Sequence, residues 1–153
     1  MLFFFRMEIT VVGAGYVGLS LAVLISQKYE VIAFDISKEK VEMINKRISP
    51  IHDLKLIEYL QDKELKLKAT SDKKIAYRNA DYIIISTPTN YDVDTGTFDT
   101  SSVEAVIADC IELNKEATIV IKSTIPLGFT EKMRNKFDSN KIIFSPEFLR
   151  ESN

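Results

Sequence analysis

The chain has 153 residues, 46% of them hydrophobic, and a formal charge of -2, which provides apolar material for one sizeable core but too little length for a second complete domain. Lys and Arg are scattered among Asp and Glu rather than clustered, so there is no basic footprint for nucleic acid. The single cysteine, Cys110, excludes an intramolecular disulfide and points to a reducing, cytoplasmic compartment; with one histidine, His52, it leaves a Cys/His metal site short of ligands.

The opening MLFFFR is apolar for only a few residues before an arginine, too short for a signal-peptide core and far too short to span a bilayer. Residues 1–6 are therefore expected to be a surplus leader, with the folded pattern running from 7 to 153. From there, apolar runs rich in β-branched residues alternate with segments of helical period, the pattern of βαβ units. EITVV (8–12), YEVIAF (29–34), ELKLKAT (64–70), DYIIIS (81–86), ATIVIKS (117–123) and KIIFS (141–145) read as strands, and 16–28, 37–47, 53–62, 72–79, 101–115 and 128–137 as helices. Four strands are nearly continuous apolar runs, as helices covering both faces require. ELKLKAT alternates strictly and suits a position nearer an edge. Asp35, Ser37, Asp53 and Ser101 stand where N-caps are wanted, and Gly128 follows Pro126 at a strand-to-helix turn. The pattern predicts a doubly wound, mostly parallel α/β sheet, Rossmann-like, with strand order 3-2-1-4-5-6. Its one long irregular connection is TPTNYDVDTGTFDT, 87–100, a length at which loops tend to be functional.

VVGAGYVGLS places Gly13, Gly15 and Gly18 as G-x-G-x-x-G between a strand and a helix. The spacing suits a tight turn, a close backbone approach to a pyrophosphate, and close helix-to-strand packing, with the helix N-terminus attracting phosphate charge. An acidic residue about 20 positions on, at the end of the second strand, is expected to accept from ribose hydroxyls, and Asp35 stands there. A carboxylate repels a 2′-phosphate, so NAD is expected over NADP, with Lys38 and Lys40 nearby as the opposing signal. STPTNYD (86–92) and STIPLG (123–128) both end strands at the sheet edge where such folds bind ligands. Hydroxyls of Thr87, Thr89, Ser123 and Thr124 there are suited to donate to cofactor or substrate oxygens, although Ser, Thr and Pro are also ordinary turn residues.

GAGYVGLS, FDIS followed by Lys40, ISPI (48–51), ATSD (69–72), STPTNYD, FDTSSVE (98–104), IKSTIPLGFT (121–130) and SPEFLRES (145–152) together resemble the N-terminal part of the UDP-glucose/GDP-mannose dehydrogenase family. The resemblance runs in order from Met7 to the last residue and is most specific in STIPLG and SPEFLRE. It implies NAD-dependent, two-step oxidation of the C6 alcohol of a UDP-sugar, through a cysteine thiolate that captures the aldehyde. By the same resemblance, Gly13, Gly15, Tyr16, Val17 and Gly18 bind the pyrophosphate, Asp35 and Lys40 the adenosine ribose, and Thr89 and Thr124 the cofactor, with Thr124 also near the reacting centre. Glu147 matches a catalytic base or water-positioning carboxylate that also faces substrate, the backbone of Phe148, Leu149 and Arg150 a substrate-binding strip, and Glu151 a contact to NAD and substrate. The resemblance also implies a homodimer built on the family's central helix.

The family's catalytic cysteine, in a glycine-rich motif, is not among these residues. Val103, Val106, Ile107 and Cys110 share one helical face, so Cys110 reads as core rather than nucleophile, and the chain alone is expected to bind NAD weakly without catalysis. A calcium loop at Asp92, Asp94 and Gly96 has its glycine one position early and no closing glutamate. His52 reads as a capping or surface residue, and no metal is expected. Tyr16 and Tyr91 divide evenly between packing and stacking on a ligand. Two alternatives stand beside the main reading: a dehydrogenase of GDP-mannose or a UDP-amino-sugar, and a stand-alone NAD-sensing module, which would not need STIPLG or SPEFLRE.

Overall fold

A computed structural model describes residues 6–61 and 64–147. In chain order the elements are β1 (Glu8–Val12), α1 (Tyr16–Ser26), β2 (Glu30–Phe34), α2 (Lys38–Asn45), α3 (Leu54–Leu60), β3 (Leu67–Thr70), α4 (Lys73–Tyr77), β4 (Tyr82–Ile85), β5 (Tyr91–Asp92), β6 (Thr97–Phe98), α5 (Ser101–Leu113), β7 (Thr118–Ile121), α6 (Phe129–Phe137) and β8 (Ile142–Phe144). Six strands form one parallel sheet in the order β3-β2-β1-β4-β7-β8. With the small β5/β6 pair set aside, this is the expected 3-2-1-4-5-6 topology, and the alternating ELKLKAT segment supplies an edge strand. Among the described residues no helix is long and apolar enough to cross a membrane.

The sheet divides the core in two. On one face α1, α2 and α3 close over Val11, Val31, Ala33 and Leu67, with Leu19, Ala22, Ile44, Leu56 and Leu60 buried against them. On the other, α4, α5 and α6 cover Ile83, Ile85, Ile119, Ile121 and Ile142, with Tyr77, Ile107, Cys110, Phe129 and Met133 between. Each fully buried Ile or Leu contributes about 1.5–3 kcal/mol of apolar transfer, so these continuous runs act as the anchor of the fold. Two of the polar groups that go inside find their partners on the backbone. Thr10, buried in β1, donates to the Ala76 carbonyl, and the Asn114 amide donates to the Tyr77 and Ala80 carbonyls while its oxygen accepts from Glu116 and Ala117.

Three expectations are corrected by the backbone. The 87–100 segment is not wholly irregular: Tyr91–Asp92 pairs antiparallel with Thr97–Phe98, because Asp92 Oδ1 accepts the Asp94 and Thr95 N–H groups, Gly96 takes φ +66°, and the Tyr91 and Phe98 rings pack at 5.0 Å. Ser37 and Asp53 do cap α2 and α3, but Asp35 caps no helix, because its carboxylate is turned back toward the glycine loop. Ser101 is the first helical residue of α5, and Asp99 accepts its N–H. Of the leader expected over 1–6, only Arg6 is described; it pairs with Glu30 at 3.7 Å, and Met7 packs on the core. Residue 62, the last expected in the third helix, lies outside the described residues.

Candidate dinucleotide site

The three glycines of the loop have three different reasons to be glycine. Gly13 sits at φ +95°, and a Cβ there would stand 2.7 Å from the Ser86 carbonyl oxygen. A Cβ on Gly18 would stand 1.8 Å from the Gly13 carbonyl, so α1 can approach β1 only without one. Gly15 is different: its φ is -82°, and a Cβ would meet nothing within 4 Å. Neither backbone strain nor packing requires glycine at position 15, and the open space in front of it suits a ligand whose backbone contacts need that room. Gly15 is also the N-cap of α1, no side chain caps that helix, and no carboxylate stands in its first turn. The helix therefore presents first-turn N–H groups and a positive dipole end to an anion. Beside the loop the Ser86 Oγ is buried without a hydrogen-bond partner.

Asp35 is almost fully buried at the end of β2. Its Oδ2 accepts the Ala14 N–H at 2.8 Å, its Oδ1 accepts the Ser37 N–H at 2.9 Å, and Lys40 Nζ stands 3.9 Å from Oδ2. The residue expected to meet a ribose thus also fastens the glycine loop to the β2–α2 turn, and its remaining lone pairs are available to hydroxyl donors.

Between these elements and α5 lies a cavity of about 530 Å³. Its near wall is Gly13, Asp35, Ile36, Ser37 and Lys40; its far wall is Ser102, Ala105, Val106 and Asp109 of α5, one helix face at i, i+3, i+4, i+7 spacing. Ile36, an apolar side chain 87% exposed at the rim, is placed to cover a flat base. Thr87 and Pro88 complete the slot, held there by Ser102, whose Oγ donates to the Pro88 carbonyl at 2.9 Å and lies 3.1 Å from Thr87 Oγ1. Neither Ile36 nor Ser102 stands out in the sequence; the signals that point to them are the apolar residue directly after the acidic one and the α5 face beside the core stripe, which shares only Val106 with it.

The second half of the sheet edge is built by side chains. Ser123 donates through Oγ to the Thr87 carbonyl at 2.6 Å, tying the loop after β7 to the loop after β4. On the other side Lys122 donates to Ser145 Oγ at 3.0 Å and pairs with Glu147 Oε2 at 3.7 Å. Adjacent residues at the end of β7 thus hold the segments on both sides, and Lys122 was not legible as a partner of Glu147. Thr124 is exposed just beyond, Thr89 half-buried, and Leu127 wholly exposed. Ile125, Pro126, Thr130, Arg134 and Phe144 line a second cavity of about 680 Å³ between α6 and β8. Phe148, Leu149, Arg150 and Glu151 lie outside the described residues.

Other sequence candidates are placed elsewhere. Cys110 is fully buried, and burial, reinforced by Asp109, pushes its thiol pKa well up; it packs with Val103, Val106 and Ile107 as expected for a core residue. The Tyr16 hydroxyl donates to Asp53 at 3.3 Å, joining the loop to α3. His52 is exposed, and the capping at that helix falls to Asp53. Asp92 serves the hairpin turn, where N–H groups of Thr95 and Asp94 hold its pKa below the ordinary aspartate value.

A parallel α/β sheet with a steric G-x-G-x-x-G turn, an uncapped helix behind it and a buried acid closing the second strand defines a dinucleotide-binding Rossmann-type domain. The comparisons make the class specific. Residues 7–153 match the UDP-glucose/GDP-mannose dehydrogenase family, NAD binding domain, and the chain belongs to that family as its NAD-binding domain. It is 58% identical over 146 residues to UDP-glucose 6-dehydrogenase of Streptococcus pneumoniae and 45% identical over 147 residues to that of Campylobacter jejuni, in each case covering 95% of this chain and 37% of the relative. The chain therefore spans little more than a third of the length of these relatives. Among solved structures, UDP-D-ManNAc dehydrogenase from Pyrococcus horikoshii superposes with a TM-score of 0.84 at 28% identity, covering 94% of this chain and 37% of that one. GDP-mannose dehydrogenase from Pseudomonas aeruginosa superposes with a TM-score of 0.81 at 30% identity, covering 95% and 37%.

Proposed function

We propose that these residues hold the NAD of a UDP-glucose 6-dehydrogenase. The observation that carries the cofactor role is Gly15: a glycine that its own fold does not need, at the head of an uncapped helix and beside Asp35. In this reading Gly13, Gly15, Tyr16, Val17 and Gly18 surround the pyrophosphate, Asp35 and Lys40 meet the adenosine ribose, and Thr89 and Thr124 meet the nicotinamide half. The bound dinucleotide supplies the hydride acceptor. The chain contributes position and charge: Asp35 repels a 2′-phosphate, and the Lys122 ammonium holds the Glu147 carboxylate next to Thr124's loop, where it is suited to serve as base or to position water. Phe148, Leu149, Arg150 and Glu151 follow Glu147 and complete the substrate side in the same reading, with residues 7–153 as the folded domain.

The 58% identity to a UDP-glucose 6-dehydrogenase supports UDP-glucose as substrate of the whole protein, and the same reading takes UDP-glucuronate as product and a cytoplasmic homodimer as the whole protein's form. The likeness to UDP-ManNAc and GDP-mannose dehydrogenases keeps another nucleotide sugar as the second reading. The 153 residues alone are expected to turn over no substrate, because their one cysteine is sealed in the core. Isothermal titration tests the cofactor role: NAD binds at sub-millimolar to millimolar concentration and NADP at least about 10-fold more weakly, the effect of one unfavourable charge contact. No NAD binding at millimolar concentration sinks the proposal.

A further inference from the structure

The slot between Asp35 and α5 is mostly apolar, yet its lining includes an ion pair between α4 and α5. Lys73, at the start of α4, is paired with Asp109, two turns into α5, with 52% and 25% of the two side chains exposed. A part-exposed pair of this kind adds little to stability. Both residues line the cavity, and so does Tyr77, whose hydroxyl is buried without a partner. An apolar slot with a few fixed polar groups is the usual form of a selective small-molecule pocket.

The chemistry of the pair is directional. An ammonium only donates and a carboxylate only accepts. Adenine offers the complementary edge: its exocyclic amino group donates, and the ring nitrogen beside it accepts. We propose that Asp109 and Lys73 read the base of the dinucleotide, Asp109 accepting from the adenine amino group and Lys73 donating to the neighbouring ring nitrogen. This rests on the slot holding the adenosine half of NAD. Asp35 at the ribose and the walls formed by Ile36, Ala105 and Val106 fix the base in register, so a base with a different edge has no room to slide into a new pairing.

Nicotinamide hypoxanthine dinucleotide tests the idea, because it replaces the amino group with a carbonyl oxygen and turns an acceptor toward Asp109. Titrated calorimetrically into the wild-type chain, NAD is expected to bind at least about 10-fold tighter, the size of one hydrogen bond to a charged partner. Asp109→Asn, whose amide both donates and accepts, and Asp109→Ala as a second variant, are each checked for fold by circular dichroism and are expected to bring the two dinucleotides to near parity. Equal affinities in the wild type overturn base reading while leaving NAD binding intact. So does a preference that survives in a folded variant. If neither dinucleotide binds the wild type, the cofactor reading itself falls and base reading falls with it.

Discussion

The two halves of the sheet edge are made in different ways. On the β3-β2-β1 side both faces of the sheet are covered, and the site is fixed by backbone: a Cβ on Gly13 or Gly18 would come within 2.7 or 1.8 Å of a carbonyl oxygen, and Asp35 accepts two N–H groups. On the β7-β8 side the core under α1, α2 and α3 contains no residue of either strand; Val120 is half-buried, its register partner Ile143 is exposed, and so is Phe144. There the site depends on long side chains, Lys122 above all. A site built on backbone tolerates almost no change in residue type, whereas one built on side chains is open to adjustment. The groups proposed to hold the pyrophosphate and the adenosine belong to the first half, and those proposed to meet the nicotinamide and the substrate belong mostly to the second.

The sharpest way to break this contrast is to give two glycines of the same loop a methyl group. Gly18→Ala drives a Cβ into the Gly13 carbonyl and is expected to cost about 3 kcal/mol or more, about 10 °C in Tm for a domain of this size, as well as NAD binding. Gly15→Ala, at an N-cap with open space, is expected to cost no more than about 1 kcal/mol yet to weaken NAD at least about 10-fold. Thermal unfolding paired with calorimetry separates the two. If Gly15→Ala binds NAD normally, the space in front of residue 15 is not the pyrophosphate site.

Asp35 comes next. A residue that touched only a ribose would be dispensable without cofactor. Asp35→Ala leaves the Ala14 N–H unpaired in a buried loop, so a loss of about 1–3 kcal/mol in urea unfolding is expected before any NAD is added. Unchanged stability would mean that the clasp between loop and turn contributes nothing.

What the sequence disclosed follows the same division. Period and β-branched composition were enough for all six parallel strands, the edge position of ELKLKAT and the glycine turn, because those depend on burial and backbone sterics that each residue carries locally. Roles that depend on a distant partner were not legible. Asp35 looked like a cap because its caging by Ala14 comes from 21 residues away. Lys122 could not be joined to Glu147, nor Lys73 to Asp109, until the sheet brought them together. The hairpin within 87–100 escaped notice because two residues per strand are too few to show an alternating pattern.

A smaller effect is expected at the open face. Ile84, Val120 and Ile143 stand in one row across β4, β7 and β8. Of these Ile84 and Val120 are half-buried and Ile143 is exposed; an apolar row that is partly open favours self-association, so concentration-dependent light scattering is expected for the wild type and a shift toward monomer for Ile143→Lys, with stability changed by less than about 0.5 kcal/mol. A monodisperse wild type at high concentration would remove this feature from the contrast.

The smallest effect concerns the β5/β6 hairpin, which belongs to neither half and packs through one ring pair. Hydrogen bonds from Thr95 and Asp94 lower the folded pKa of Asp92, and those from Ser101 lower that of Asp99. A lowered folded value means that the ionised form is the one the fold favours. The contribution is therefore full above the unfolded aspartate value, about 3.9, and is lost as pH falls through the folded value. Both groups lie at the surface, so the loss stays local: below about pH 4 the Tyr91 and Phe98 ring resonances should drift toward random-coil positions while those of Phe34 and Tyr77, packed in the core at 5.4 Å, hold still. Asp92→Asn should remove most of that pH dependence, since an amide keeps an acceptor oxygen but has no proton to gain. If the core rings move with the hairpin in the same pH range, the hairpin is coupled to the sheet edge rather than appended to it, and the division between a backbone-built half and a side-chain-built half must be redrawn to include it.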